Sequence, residues 1–231
     1  MISGTASIVS KTMVLTAFHV IAKNPLKPTR ALLTGDWVIM ETCERVRNVV
    51  NPTGDVIPVR VFKTSPTSDW ALLQRNDGKE FDAELILPIC PLASLPGNGS
   101  EQTLKIYHCP LDLFNCGRVD AVAPVSEDKR FGFRTTHKVF VQGGLFGGSS
   151  GGIYAIKSNV VETNGKVLAM HTESVSTAAL VEEAQSLNPG ASLYDILSEV
   201  SDSHAECHAS FVQGLIICTY KPLMTLIEAD L

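Results

Sequence analysis

Short apolar and β-branched runs, separated by Gly, Pro, Asn and Ser, recur along most of the chain and predict strands more often than helices. Gly4 to Val9 mixes small and apolar residues. After a Ser-Lys-Thr turn, Met13 to Ala17 resumes in the same style, so a hairpin is predicted to feed Phe18-His19-Val20-Ile21. Further strands are predicted at Trp37 to Met40 and at Val56 to Phe62, where Pro58 suggests an edge or a bulge. Asp69-Trp70-Ala71-Leu72-Leu73 follows a turn. Between Leu87 and Gly99 the chain turns rich in Pro and Gly, which reads as a surface linker. It divides an N-terminal unit, residues 1–90, from a C-terminal unit, residues 102–231, with 91–101 as the connection.

The second unit predicts strands at Thr103 to Tyr107, Arg118 to Val122, Arg130 to Thr135, Lys138 to Val141, Ile153 to Ile156 and Lys166 to His171. The last two read as a hairpin closed around Asn164-Gly165, the strongest short hairpin signal in the chain. Then the rhythm changes. Ser192/Asp195 starts a capping box with apolar positions at 193, 196, 197 and 200, and Ala178 to Leu187 reads as another short helix. Residues 175–210 are therefore expected to form a partly helical insert. Phe211 to Ile217 returns to strand, and Pro222 to Glu228 predicts a final helix with proline near its start. Many short strands with turn signals between them predict an all-β architecture of antiparallel barrels.

Composition changes this picture little but excludes a good deal. A chain of 231 residues, 45% hydrophobic, can bury one sizeable core or two that pack together. The net charge of −5, with no block of Lys or Arg, recommends neither nucleic acid nor an anionic membrane as a partner. No apolar run reaches the length of a membrane-spanning helix, and the N-terminus lacks the features of a signal peptide, so an intracellular, cytoplasmic location is the expectation. Cys43, Cys90, Cys109, Cys116, Cys207 and Cys218 are irregularly spaced and are expected to be reduced. His204-Ala205-Glu206-Cys207-His208 matches no common zinc spacing, so no metal and no cofactor is expected, and His108 and His137 read as strand or turn residues.

The candidate chemistry gathers at Gly147-Gly148-Ser149-Ser150-Gly151-Gly152. Glycines let the main chain turn sharply and present N–H groups to a bound molecule, beside a hydroxyl that can attack. Alone, such a run is as readily a plain loop, a lone His19 on an apolar segment as readily a core residue, and Asp69 as readily a turn or cap.

Together the three segments resemble the trypsin-like, chymotrypsin-fold serine peptidases. Gly148-Ser149-Ser150-Gly151-Gly152 is similar to that family's nucleophile turn, Val14-Leu15-Thr16-Ala17-Phe18-His19 to its histidine segment, and Asp69-Trp70-Ala71-Leu72-Leu73 to its acid segment. The order His19, Asp69, Ser150 is that of the family's triad. The resemblance covers nearly the whole chain and implies two antiparallel barrels of six-stranded type, with a C-terminal helix and the 175–210 insert. It implies Ser150 as nucleophile, His19 as base, Asp69 as orienting acid, and the N–H groups of Gly148 and Ser150 as the oxyanion hole.

The chain also departs from the family. Cysteines usual in secreted members are missing beside His19 and before Ser150, which fits an intracellular branch. Ser149 stands where activated members carry an acid that pairs with a new N-terminus, so that switch is expected to be absent. The chain begins almost at the first hairpin, which would leave the first barrel one strand short. Gly144, six residues before Ser150, offers no acid for a basic P1 side chain. Met170-His171-Thr172-Glu173-Ser174 is similar to the pocket strand of glutamyl endopeptidases and picornain-type members, which implies a P1 of Glu or Gln received by His171, with Thr172, Ser174, Gly144 and Leu145 lining the pocket. That His171 is simply packed under the insert stays open.

The leading expectation is thus a serine endopeptidase acting on protein or peptide substrates. A catalytically inactive protease-like domain that binds proteins is the alternative, and an esterase is a third.

Overall fold

In the computed structural model, residues 4–21, 48–50, 56–108, 125–145, 149–175 and 211–231 are described. The first hairpin forms as expected: β1 (Ser7–Ile8) pairs antiparallel with β2 (Met13–Ala17), although β1 is only two residues long. β2 runs directly into α1 (Phe18–Ile21). β3 (Asn48–Val50), β4 (Val56–Ser65) and β5 (Trp70–Arg75) complete a five-stranded sheet of order β1-β2-β5-β4-β3.

Why β2 and β5 read as continuous apolar runs rather than alternating ones follows from what covers them. Met13, Leu15, Ala17, Trp70 and Leu72 face one cluster, whereas Val14, Ala71 and Leu73 face another with Phe18, Val59 and Phe81. A strand buried on both faces has no polar side to display. The first of these clusters also takes Ile153, Met170, Leu215, Leu223 and Ile227 from the second half of the chain, so the two halves share a core.

In the second half, β6 (Thr103–His108), β7 (Val125–Arg134), β8 (Lys138–Gln142), β9 (Ile153–Lys157), β10 (Val167–Val175) and β11 (Phe211–Ile216) close into a barrel of order β10-β11-β8-β7-β6-β9. Its interior is filled by Leu104, Ile106, Phe131, Val139, Val141, Tyr154, Ile156, Leu168 and Val212 among others. Closure removes every free edge from this sheet. Of the two barrels expected, closure is seen in this one; among the described residues the N-terminal unit is a sheet.

After a short 3-10 turn, α2 (Lys221–Glu228) carries proline in its first turn as expected and buries Leu223 and Ile227 against the shared core. Just beyond it, the Asp230 carboxylate accepts hydrogen bonds from Ser10 Oγ at 2.8 Å, Thr12 N at 2.8 Å and Thr12 Oγ1 at 2.9 Å. The end of the chain is thereby fastened to the β1–β2 turn.

In β4 the bulge falls between Val61 and Lys63 rather than at Pro58, and the strand as a whole lies inside the sheet. Pro58 pairs with Asn48 of β3 but stands one residue outside the β4–β5 ladder, which begins at Val59. The hairpin expected around Asn164-Gly165 forms, with β9 antiparallel to β10, and its connection is longer than these two residues. Residues 158–166 make a longer loop in which Gly165 takes a φ of 77° and its N–H returns to Ile156 O at 2.8 Å. The strand expectations at Trp37 to Met40 and Arg118 to Val122, and the helices at 178–187 and 192–200, lie outside the described residues, as does the 204–208 cluster. Cys90 and Cys218 are free thiols.

Candidate active site

Asp69 occupies the last position of the turn that precedes β5, with a φ of 52°, the one non-glycine residue in the left-handed region among those described. Asp is one of the few side chains that accept this conformation readily. The turn aims Asp69 at α1 with three contacts: its carbonyl accepts from Phe18 N at 3.1 Å, its Oδ1 from His19 N at 3.0 Å, and its Oδ2 lies 2.8 Å from His19 Nδ1. A carboxylate can only accept here, so His19 Nδ1 carries a proton and Nε2 of the neutral ring is left as the basic nitrogen. Burial is the largest influence on the His19 pKa and pushes it down. The hydrogen bond and charge of Asp69, with the charge of Glu173, outweigh it and hold the pKa above the ordinary histidine value of 6.5.

The glycine-serine turn docks on the end of the first hairpin. Thr5 N donates to Ser150 O at 2.7 Å, and Thr16 Oγ1 donates to Thr5 O at 2.7 Å. Gly151 has a φ of 86°, and a Cβ on it would collide with Thr5 O and stand 2.6 Å from Thr16 Oγ1. Only glycine meets both demands. Ser150 is brought close to α1 as well: a Cβ on Gly4 would stand 2.6 Å from a Val20 methyl and 3.0 Å from Ser150 O. Ser150 itself is half-buried, and Gly148, the other expected oxyanion donor, lies outside the described residues.

His171 in β10 is joined to the same turn through its main chain. Gly151 N donates to His171 O at 2.8 Å, and His171 N to Gly152 O at 2.6 Å. Its ring is only 3% exposed, and Nδ1 lies 2.7 Å from the Tyr154 hydroxyl. Burial holds the Tyr154 pKa well above its ordinary value, so the phenol keeps its proton. Burial likewise is the main cause of a His171 pKa near 4; the backbone of Gln213 opposes it, and the charges of His19 and His108 add to it. At neutral pH His171 is uncharged and shares this hydrogen bond with the phenol; a phenol that donates to Nδ1 leaves the ring proton on Nε2.

The remaining expected pocket residues are placed unequally. Thr172 is buried and engaged with Gln213, to whose carbonyl it donates at 3.2 Å while accepting from Nε2 at 3.2 Å. Ser174 belongs to β10, but its side chain lies outside what is described. Gly144 is exposed and Leu145 half-buried, in the segment between β8 and the glycine-serine turn.

Sequence reasoning passed over a second histidine of this site. His108, at the end of β6, is a strand residue as expected, but it is fully buried, with Nδ1 2.6 Å from Ser149 Oγ and Nε2 2.9 Å from Glu127 Oε1. Nothing in its immediate sequence marks it, because its partners come from 19 and 41 positions away. Tyr154 and Gln213, which hold His171 and Thr172, were likewise hidden inside apolar strands. Among the described residues no group of three or more His, Cys, Asp or Glu could hold a metal ion, and no helix is long and apolar enough to cross a membrane.

Comparison with known proteins shows the fold. A solved structure of a Glu endopeptidase in complex with MPD superimposes with a TM-score of 0.58 at 10% identity, over 98% of this chain and 84% of that one. No family model and no curated protein sequence matches the chain.

Proposed function

We propose that the chain is a serine endopeptidase in which Ser150 attacks the scissile carbonyl, His19 takes and returns the proton, and Asp69 holds His19 in the required tautomer. The observation that carries this reading is the Asp69–His19 pair: a carboxylate on Nδ1 at 2.8 Å and on the backbone N–H at 3.0 Å, placed beside the hairpin on which the Ser150 turn docks. A serine hydroxyl needs such a base to become a nucleophile near neutral pH. The N–H groups of Ser150 and Gly148 would stabilise the oxyanion, a contribution worth about 10²–10³ in rate per donor in comparable enzymes. The tetrahedral intermediate collapses with His19 protonating the leaving amine, and water then repeats the cycle on the acyl-enzyme. The shared fold with a Glu endopeptidase supports the reading at the level of architecture.

For specificity, the same proposal assigns P1 Glu or Gln, with the Nε2–H of neutral His171 donating to the side-chain carbonyl oxygen. The Tyr154 hydroxyl supports this assignment, because a phenol that donates to Nδ1 leaves the ring proton on Nε2. The 3% exposure of the ring favours a second reading, in which His171 is a packed core residue. A peptide library varied at P1 separates the two. Wild type should prefer Glu or Gln, and His171→Ala should lose that preference by about 10-fold or more, the scale of one charged or polar hydrogen bond. An unchanged P1 profile in His171→Ala would leave the packing reading. Hydrolysis of simple esters without any peptide cleavage would point to an esterase instead.

A further inference from the structure

We infer that His108, oriented by Glu127, is a positioning residue for the nucleophile turn; the inference rests on the peptidase reading and adds a second buried relay behind it. Residues 149–152 form a turn outside the barrel strands, whereas His108 and Glu127 stand on barrel strands. In the β6–β7 register His108 faces Val125 and Ile106 faces Glu127, so His108 and Glu127 are diagonal neighbours on one face. The Glu127 Oε1 accepts from His108 Nε2 at 2.9 Å, and its Oε2 lies 2.9 Å from Lys129 Nζ.

A carboxylate accepts only, so His108 Nε2 carries a proton and donates to Glu127. Nδ1 and Ser149 Oγ, 2.6 Å apart, share the second hydrogen bond. Ser149 is 1% exposed and His108 fully buried, so neither side chain can turn to water for an alternative partner. Ser149 is thereby excluded as a competing nucleophile and becomes an anchor. Fixing its side chain fixes the peptide that joins it to Ser150, and with it the direction of the Ser150 N–H and of the Ser150 side chain. The approach is close on the other side as well: a Cβ on Gly152 would stand 2.9 Å from His108 Cβ and 2.8 Å from Tyr107 O. The position that activated relatives give to an acid paired with a new N-terminus is here held by a neutral hydroxyl and a histidine already in place.

The test compares wild type, His108→Leu, His108→Asn and Ser149→Ala, all as the full chain. Three readouts are taken: thermal unfolding, the separate binding and bond-forming constants for inactivation by a fluorophosphonate, and backbone hydrogen exchange in peptides spanning residues 149–152. Leucine removes both hydrogen bonds, whereas the asparagine amide can return a hydrogen-bonding group near the Nδ1 position. His108→Leu and Ser149→Ala should slow bond formation by about 10²-fold, the cost of a misplacement of roughly 1 Å, with binding of the reagent unchanged. Exchange should quicken across 149–152 while β6 and β7 stay protected, and His108→Asn should recover most of both losses. If His108→Leu fails to fold, Ser149→Ala asks the same question with a smaller change. Equal rates and equal exchange at the turn in folded His108→Leu or Ser149→Ala would overturn the inference. If wild type takes no label, the peptidase reading fails by itself, and the exchange comparison still decides whether His108 holds the turn.

Discussion

His19 shows how neighbouring groups decide the chemistry of a single residue. Burial alone would make it a weaker base, yet Asp69 and Glu173 reverse the balance and raise its pKa above 6.5. The sign of the consequence is fixed: a base must be unprotonated to work, so kcat/KM should fall as pH drops through a midpoint above 6.5 rather than at it. Asp69→Asn removes the charge and lets the amide N–H donate to His19 Nδ1, favouring the wrong tautomer, which should lower that midpoint and cost about 10⁴-fold in kcat, the scale seen when the orienting acid of a Ser-His-Asp triad is replaced in this way. A pH–rate profile of both proteins checks this; an unmoved midpoint would deny Asp69 its role. The Asp69–His19 pair was legible because each residue lies inside a local pattern of neighbours, and Ser150 was singled out on the same kind of pattern. His108, Tyr154 and Gln213 were not, since what gives them significance is a partner on another strand.

The nucleophile turn is organised as an element by what it docks against. Ser150 O meets Thr5 N, Gly151 N meets His171 O, and Thr16 Oγ1 completes the seat. Gly151→Ala would demand a left-handed backbone from alanine and drive its Cβ into Thr5 O. We expect loss of active-serine labelling, together with a destabilisation of about 1–3 kcal/mol from strain and overpacking; denaturant titration beside labelling measures the two effects separately. The glycine richness of this turn was visible in the sequence, but the need for it at Gly151 arises from Thr5 and could not be. The hairpin of β9 and β10 was legible from Asn164-Gly165, whereas the length of its loop, which Gly165 closes back onto Ile156, was not.

At the scale of the molecule, the sheet carrying His19 and Asp69 and the barrel carrying Ser150 are held together by one shared core, with Leu15 and Leu72 packed in the same cluster as Met170, Leu215 and Ile227. That arrangement makes the relative position of His19 and Ser150 depend on how firmly the two halves adhere. Asp230 fastens α2 to the β1–β2 turn through three hydrogen bonds, so Asp230→Ala should destabilise the chain by about 1–3 kcal/mol by leaving Ser10 and Thr12 without their acceptor. Thermal unfolding reads this directly, and a shift no larger than that of an exposed surface substitution would remove the clasp from the account. The all-β class and the strand sequence of the barrel were legible because period and turn residues are local properties. Closure of β9 onto β6 and the pairing order β10-β11-β8-β7 were not, because they depend on contacts between distant strands.

The most direct test of the central claim is labelling of the purified chain with a fluorophosphonate, comparing wild type with Ser150→Ala. This reagent reacts with a serine only when a base and an oxyanion site activate it. Wild type should be labelled stoichiometrically at Ser150, and Ser150→Ala not at all. A folded wild-type protein that takes no label, or a Ser150→Ala variant that labels as fast as wild type, would contradict it.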